Sequence, residues 1–89
     1  MSYTIHKYAL GIGDHTISMP WDSEILCVQM QYNMPQMWVR CDQSKMTASR
    51  KISVRGTGHI LTGWEGKYIG TFQAGGGDLV WHVFDGGEA

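Results

Sequence analysis

An 89-residue chain has room for one domain, residues 1–89, and buries only about two-thirds of the surface its unfolded form exposes, so its stability is thin or shared with a second subunit. A hydrophobic content of 43%, with four Trp, four Tyr and six Met, supplies a core and excludes a disordered chain. Seven Lys and Arg against eight Asp and Glu leave a formal charge of −1, which excludes a basic coat for duplex nucleic acid but not a pocket for a small anion, where a few converging cations suffice.

Helical periodicity is weak, whereas alternating or continuous apolar runs bounded by Gly, Pro, Asn and Asp recur, which predicts short strands. In chain order these are Tyr3 to Leu10, His15 to Met19, Glu24 to Tyr32, Gln36 to Asp42, Lys51 to Leu61 with an interruption, Tyr68 to Ala74, and Asp78 to Asp85. Gly11 to Asp14 and Met19 to Ser23 read as turns, with a short helix at Trp21 to Ile25 permitted but not required. Gly75-Gly76-Gly77 reads as a hairpin connection that needs positive φ. Gln43 to Arg50, polar with Ser, Thr and Lys, is the expected mobile loop, and residues 86–89 are expected to fray. The expected fold is all-β, a small antiparallel β-barrel or two-layer β-sandwich of about six to eight short strands.

The first long hairpin poses a register problem. A three-residue loop at Asn33 to Pro35 would set Cys27 opposite Cys41 and Met30 opposite Trp38. Matching of the apolar faces instead wants Leu26, Val28 and Met30 beside Met37, Val39 and Cys41, which demands a bulge or a loop one residue different. A bulge without a disulfide is the expectation, and two cysteines without zinc-knuckle spacing are read as free, largely buried thiols.

Binding chemistry concentrates in two places. In Arg50-Lys51-Ile52-Ser53-Val54-Arg55, alternation sends Ile52 and Val54 one way and Lys51, Ser53 and Arg55 the other. If the neighbouring strand is Gln36 to Asp42, Trp38 and Arg40 join that polar face, and an indole among cations is the composition of a nucleotide site. The bland alternative is a solvated outer sheet face. Gly56-Thr57-Gly58-His59 follows directly, where converging backbone N–H groups with Thr57 and His59 could cradle a phosphate or ribose, or simply form a bulge or turn. The candidate ligand-binding residues are therefore Trp38, Arg40, Lys51, Arg55, Gly56, Thr57, Gly58 and His59.

In the last strand Val80, His82 and Phe84 share one face and Leu79, Trp81 and Val83 the other; bulk on both faces implies a central strand or an interface. His6, His15, His59 and His82 fall in no metal-ligand pattern, and no nucleophile–base signature, Walker loop or dinucleotide fingerprint appears, so neither a metal, a cofactor nor catalysis is expected. The polar start and the absence of a bilayer-length apolar run predict no membrane association and a cytosolic setting.

Five segments in this order, Ile5 to Leu10, Ile25 to Gln29, Met37 to Val39, Arg55-Gly56-Thr57-Gly58-His59 and Tyr68 to Gln73, followed by Gly76 to Phe84, resemble a family of short phage proteins across nearly the whole chain. Such proteins are similar in turn to the phage nucleotide sponges that counter cyclic-oligonucleotide (CBASS) immune signalling. The resemblance implies an immune-evasion protein in host cytoplasm that sequesters a cyclic dinucleotide, such as 3′3′-cGAMP, without cleaving it. Because no binding motif of the sponges maps onto these positions, the candidate site residues come from the chain's own pattern. A pseudo-symmetric ligand and a thin stability margin both favour a homodimer. The competing expectations are a protein–protein interaction module or minor virion component, and a small hydrolase acting on a nucleotide.

Overall fold

The computed structural model covers Met1–Ala89 and is all-β. Its seven strands are β1 (Tyr3–Ala9), β2 (Gly13–Pro20), β3 (Glu24–Gln31), β4 (Met34–Asp42), β5 (Thr47–Gly56), β6 (Lys67–Ala74) and β7 (Leu79–Glu88), with one 3-10 turn at Gly75–Gly77. A three-stranded sheet runs β1-β4-β3 and a four-stranded sheet runs β2-β5-β7-β6. Every pairing is antiparallel. The Cα extents of 42 × 30 × 15 Å give a thin two-layer sandwich, its short dimension set by sheets that stack about 10 Å apart.

Strand alternation builds the core. Val28 from β3, Met37 and Val39 from β4, Met19 from β2, Ile52 and Val54 from β5, Phe72 from β6 and Val83 from β7 all turn into the space between the sheets. The residues between them in sequence face outward, so Trp38 and Arg40 stand on the outer side of the first sheet and Lys51, Ser53 and Arg55 on the outer side of the second. As its bulky faces suggested, β7 is central, between β5 and β6.

The hairpin register resolves through both devices that the sequence allowed. The β3–β4 connection is a two-residue turn rather than the expected three: Tyr32 and Asn33 take φ of 51° and 63°, as a type I′ turn requires. Pro35 is therefore a strand residue, paired with Met30 at the start of β4, where a missing donor is tolerable. A bulge between Ile25 and Cys27 then turns Leu26 outward and sets Ile25 opposite Val39. Cys27 lies opposite Trp38, and both thiols are free.

Three other expectations are corrected. Of the expected mobile loop only Gln43–Met46 is a connection; Thr47–Arg50 belong to β5 and pair with β2. Residues 86–89 do not fray, because β7 continues to Glu88 and the Ala89 N–H donates to Ser49 O at 2.8 Å. Trp21 and Asp22 form the tight turn read there, with Asp22 at φ 59°, and the helix that the sequence permitted does not form. The strand expected over Lys51 to Leu61 with an interruption ends at Gly56, and residues 57–61 are not strand.

The fully buried Met37 meets the core on all sides, so Met37→Ala is expected to lower unfolding free energy by about 2–5 kcal/mol. Exposed Met46→Ala is expected to change it by less than about 0.5 kcal/mol. Urea denaturation measures both, and equal effects would contradict this core.

Candidate functional site

The outer side of the second sheet carries the cleft in which the sequence-level cations meet. Antiparallel pairing sets Asp14 of β2 opposite Ser53 and Thr16 opposite Lys51, so their side chains share the surface with Arg55. From residues 57–66, which link β5 to β6, Thr62, Trp64 and Glu65 reach this surface. Together they enclose a cleft of about 390 Å³, its wall including Lys51, Arg55, Thr62, Trp64 and Glu65, within the range typical of small-molecule sites.

Glu65 holds the returning loop in place. Its carboxylate accepts hydrogen bonds from the Thr62 N–H at 2.7 Å, the Thr62 hydroxyl at 2.9 Å and the Gly63 N–H at 3.0 Å. Arg55 Nη2 approaches the same carboxylate at 3.3 Å and reaches Asp14 Oδ1 at 2.8 Å, where Ser53 Oγ also donates at 2.8 Å. Glu65 is 4% exposed. The backbone N–H of Thr62, with the other donors around it, outweighs desolvation and holds the Glu65 carboxyl down at about 2. Hydrogen bonds from Ser53 and Arg55 likewise hold Asp14 below its ordinary value.

The clamp leaves the loop's apolar groups facing water. Trp64, whose N–H donates to Thr62 Oγ1 at 3.0 Å, is 89% exposed at the cleft. Of the two cations, Arg55 is engaged with carboxylates and Lys51 is in no ion pair. The cleft thus offers one uncommitted cation, an open indole and polar groups of both signs.

Only part of the sequence-derived site assembles here. Lys51 and Arg55 share the cleft, but Trp38 and Arg40 do not join them, because β4 pairs with β1 and β3 and never with β5. Trp38 lies half-buried on the other sheet, in register with Lys7 and Cys27. Arg40 stacks on the Tyr3 ring with its Cζ 4.4 Å from the centroid.

Gly56, Thr57, Gly58 and His59 form a self-closed turn instead of an open cradle. The Gly56 N–H donates to His59 Nδ1 at 3.1 Å, the His59 N–H to Gly56 O at 3.0 Å and the Thr57 N–H to Val80 O at 3.0 Å, so these donors are spent within the fold. The space left by the missing Gly56 side chain is taken by the His59 ring, which meets Trp81 edge-on at 5.8 Å. Gly56, Thr57 and His59 instead border a separate cleft of about 310 Å³ beside Trp81. On the outer face Thr57 Oγ1 lies 2.7 Å from His82 Nε2, and Thr71 Oγ1 3.1 Å from His82 Nδ1.

Trp64 and Glu65 were not among the sequence candidates, yet they had a signal. Thr62-Gly63-Trp64-Glu65 is the Thr-x-x-Glu arrangement in which a carboxylate reaches back to the threonine N–H, familiar from helix starts and used here to close a loop.

A family profile described as "Domain of unknown function (DUF7352)" matches residues 1–89, and the chain belongs to that family. No curated protein and no solved structure matches the chain. No helix is long and apolar enough to cross a membrane.

Because the folded-state value of Glu65 lies below the ordinary 4.5, its contribution to stability is fully present above about pH 4.5 and is lost as pH falls toward 2. In an NMR acid titration the Thr62 and Gly63 amide signals should therefore hold their positions through pH 4.5 and move only near pH 2. Glu65→Gln should loosen the loop at neutral pH and flatten this dependence. Movement of the wild-type signals centred at pH 4.5 would show that the clamp does not form.

Proposed function

We propose that the protein captures a nucleotide in the Lys51–Arg55–Trp64 cleft and holds it without chemical change. The observation that carries this is the exposed Trp64 indole, positioned by the Glu65 clamp beside the uncommitted Lys51. Stacking of a base on an aromatic ring contributes about 1–3 kcal/mol, and a lysine supplies the point charge that phosphate needs. Asp14 Oδ2 takes part in none of the bonds that engage Oδ1, leaving an acceptor for the N–H edge of a guanine.

The ligand we favour is a cyclic dinucleotide such as 3′3′-cGAMP, sequestered by a phage immune-evasion protein in host cytoplasm. Two copies of the chain, each offering one cleft, suit the two-fold character of such a ligand. Compared with the sequence-level site, the proposal keeps Lys51 and Arg55 and replaces Trp38 with Trp64 as the stacking group.

A second reading has its own support. Ile60 is 90% exposed and precedes the exposed Leu61 and Trp64 on the same loop, so the loop presents apolar side chains of the kind that seat in a partner protein.

Isothermal titration with a panel of cyclic oligonucleotides separates the two. Nucleotide capture predicts heat with at least one member, recovery of that ligand intact after heat denaturation, and about tenfold or greater weakening by Trp64→Ala and by Lys51→Glu. Silence across the panel would end the nucleotide proposal. Pull-down of one protein by wild type, lost with Trp64→Ala and retained with Lys51→Glu, would favour the interaction module.

A further inference from the structure

The turn after β5 and the turn before β7 meet at one end of the second sheet. Register places Gly56 opposite Trp81 and Ala74 opposite Leu79, so the chain leaving β5 at Thr57 lies beside the first residues of β7. The Thr57 N–H fixes this closeness by donating to Val80 O at 3.0 Å. Here lies the cleft of about 310 Å³ beside Trp81, walled by Thr57, His59, Asp78, Leu79, Val80 and Trp81. It shares no residue with the Lys51 cleft.

Two aromatic rings form a corner in this cleft. The indole of Trp81 packs against the core, and the His59 ring stands at 78° to it with the centroids 5.8 Å apart. Gly56 holds the histidine there, because the ring fills the space that a Gly56 side chain would need and its Nδ1 accepts the Gly56 N–H at 3.1 Å. A ring nitrogen that accepts a hydrogen bond carries no proton, so this turn requires the uncharged imidazole. Both walls of the corner are therefore neutral rings.

The charge of the wall is set by one residue. Asp78 is the only Asp, Glu, Lys or Arg that lines the cleft, it is exposed, and it enters no ion pair. Arg55, the cation that adjoins the turn in sequence, is committed to Asp14 and Glu65. The cleft thus carries a single negative charge, open to water, beside two rings and the half-exposed Leu79. A cation is attracted both to a carboxylate and to the electron-rich face of a ring, whereas a phosphate is repelled by the same carboxylate. Leu79 and Val80 add aliphatic surface, which suits a cation carried on a hydrocarbon stem.

We propose that this cleft binds an alkylammonium group, with Asp78 as its counter-charge, the Trp81 and His59 rings against the ammonium, and Leu79 against the hydrocarbon stem. Two sources share that chemistry, a free aliphatic amine and the lysine side chain of a partner protein. The site is separate from the Lys51 cleft and opposite to it in the sign of the ligand, so either proposal can fail without the other.

NMR titration of the full ¹⁵N-labelled chain tests it, with n-butylammonium and n-butanol as one pair of probes and an acetylated, amidated alanine-lysine-alanine tripeptide with free or acetylated lysine side chain as the other. The ammonium member of at least one pair should move the Asp78 and Leu79 amides and the Trp81 indole N–H in a saturable manner, and should bind about fivefold or more tightly than its uncharged counterpart. Asp78→Asn, a change at an exposed side chain, should weaken that binding by a similar factor while leaving the spectrum otherwise folded. Trp81→Leu, which keeps an apolar contact with the core, should weaken it as well. Tighter binding of the lysine tripeptide would identify a protein side chain as the source, and tighter binding of n-butylammonium a free amine. Equal binding of charged and uncharged probes, binding unchanged by Asp78→Asn, shifts only outside this cleft, or no saturable shift with any probe would overturn the proposal.

Discussion

The pairing of Arg50 with Asp85 is the constraint on which the second sheet is organised. Arg50 falls at an inward position of β5, in line with Ile52 and Val54, where a cation requires a fixed counter-charge. Burial pushes the Asp85 carboxyl up, but the hydrogen bonds from Arg50 and from the Gly87 N–H outweigh it and keep it ionised below its ordinary value. To present Asp85 at that spot, β7 carries a bulge opposite the Lys51–Ile52 step. Gly86 lies at this bulge, where an added Cβ would come within 2.9 Å of Lys51 Cβ. One ion pair thereby fixes the β5–β7 register and, with it, which β5 side chains face out.

That outward set defines the cleft. With Arg50 turned in, Lys51, Ser53 and Arg55 must turn out, and β2 brings Asp14 to meet them. Arg55 then repeats on the surface what Arg50 does inside: it organises carboxylates, drawing Glu65 and the loop above it onto the sheet. The indole of Trp64 stays exposed because Glu65, its neighbour in sequence, takes the buried position.

Much of this was legible in the sequence because alternation is a local signal. A strand at each of the seven places, though not the bounds of β5, the outward Lys51 and Arg55, the positive φ of the triglycine turn and the central place of β7 follow from residue pattern alone. What alternation does not encode is which strand lies beside which. Trp38 and Arg40 do face outward as read, but hydrogen bonding assigns β4 to a different sheet from β5, so the proposed cluster divides between opposite faces. Arg50 sat in a polar stretch that resembled a loop, and only its distant partner Asp85 makes it a core residue. The turn at Tyr32 and Asn33 was obscured by Pro35, whose usual preference for loops outweighed the asparagine's tolerance of positive φ.

Because the outer face of the second sheet is the proposed binding surface, the most direct test is to map where a cyclic dinucleotide touches the ¹⁵N-labelled protein. With 3′3′-cGAMP the amides of Lys51, Ser53 and Thr62 and the indole N–H of Trp64 should shift together and saturate. Shifts confined to Trp38 and Arg40 on the other sheet, or none at saturating ligand, would contradict it.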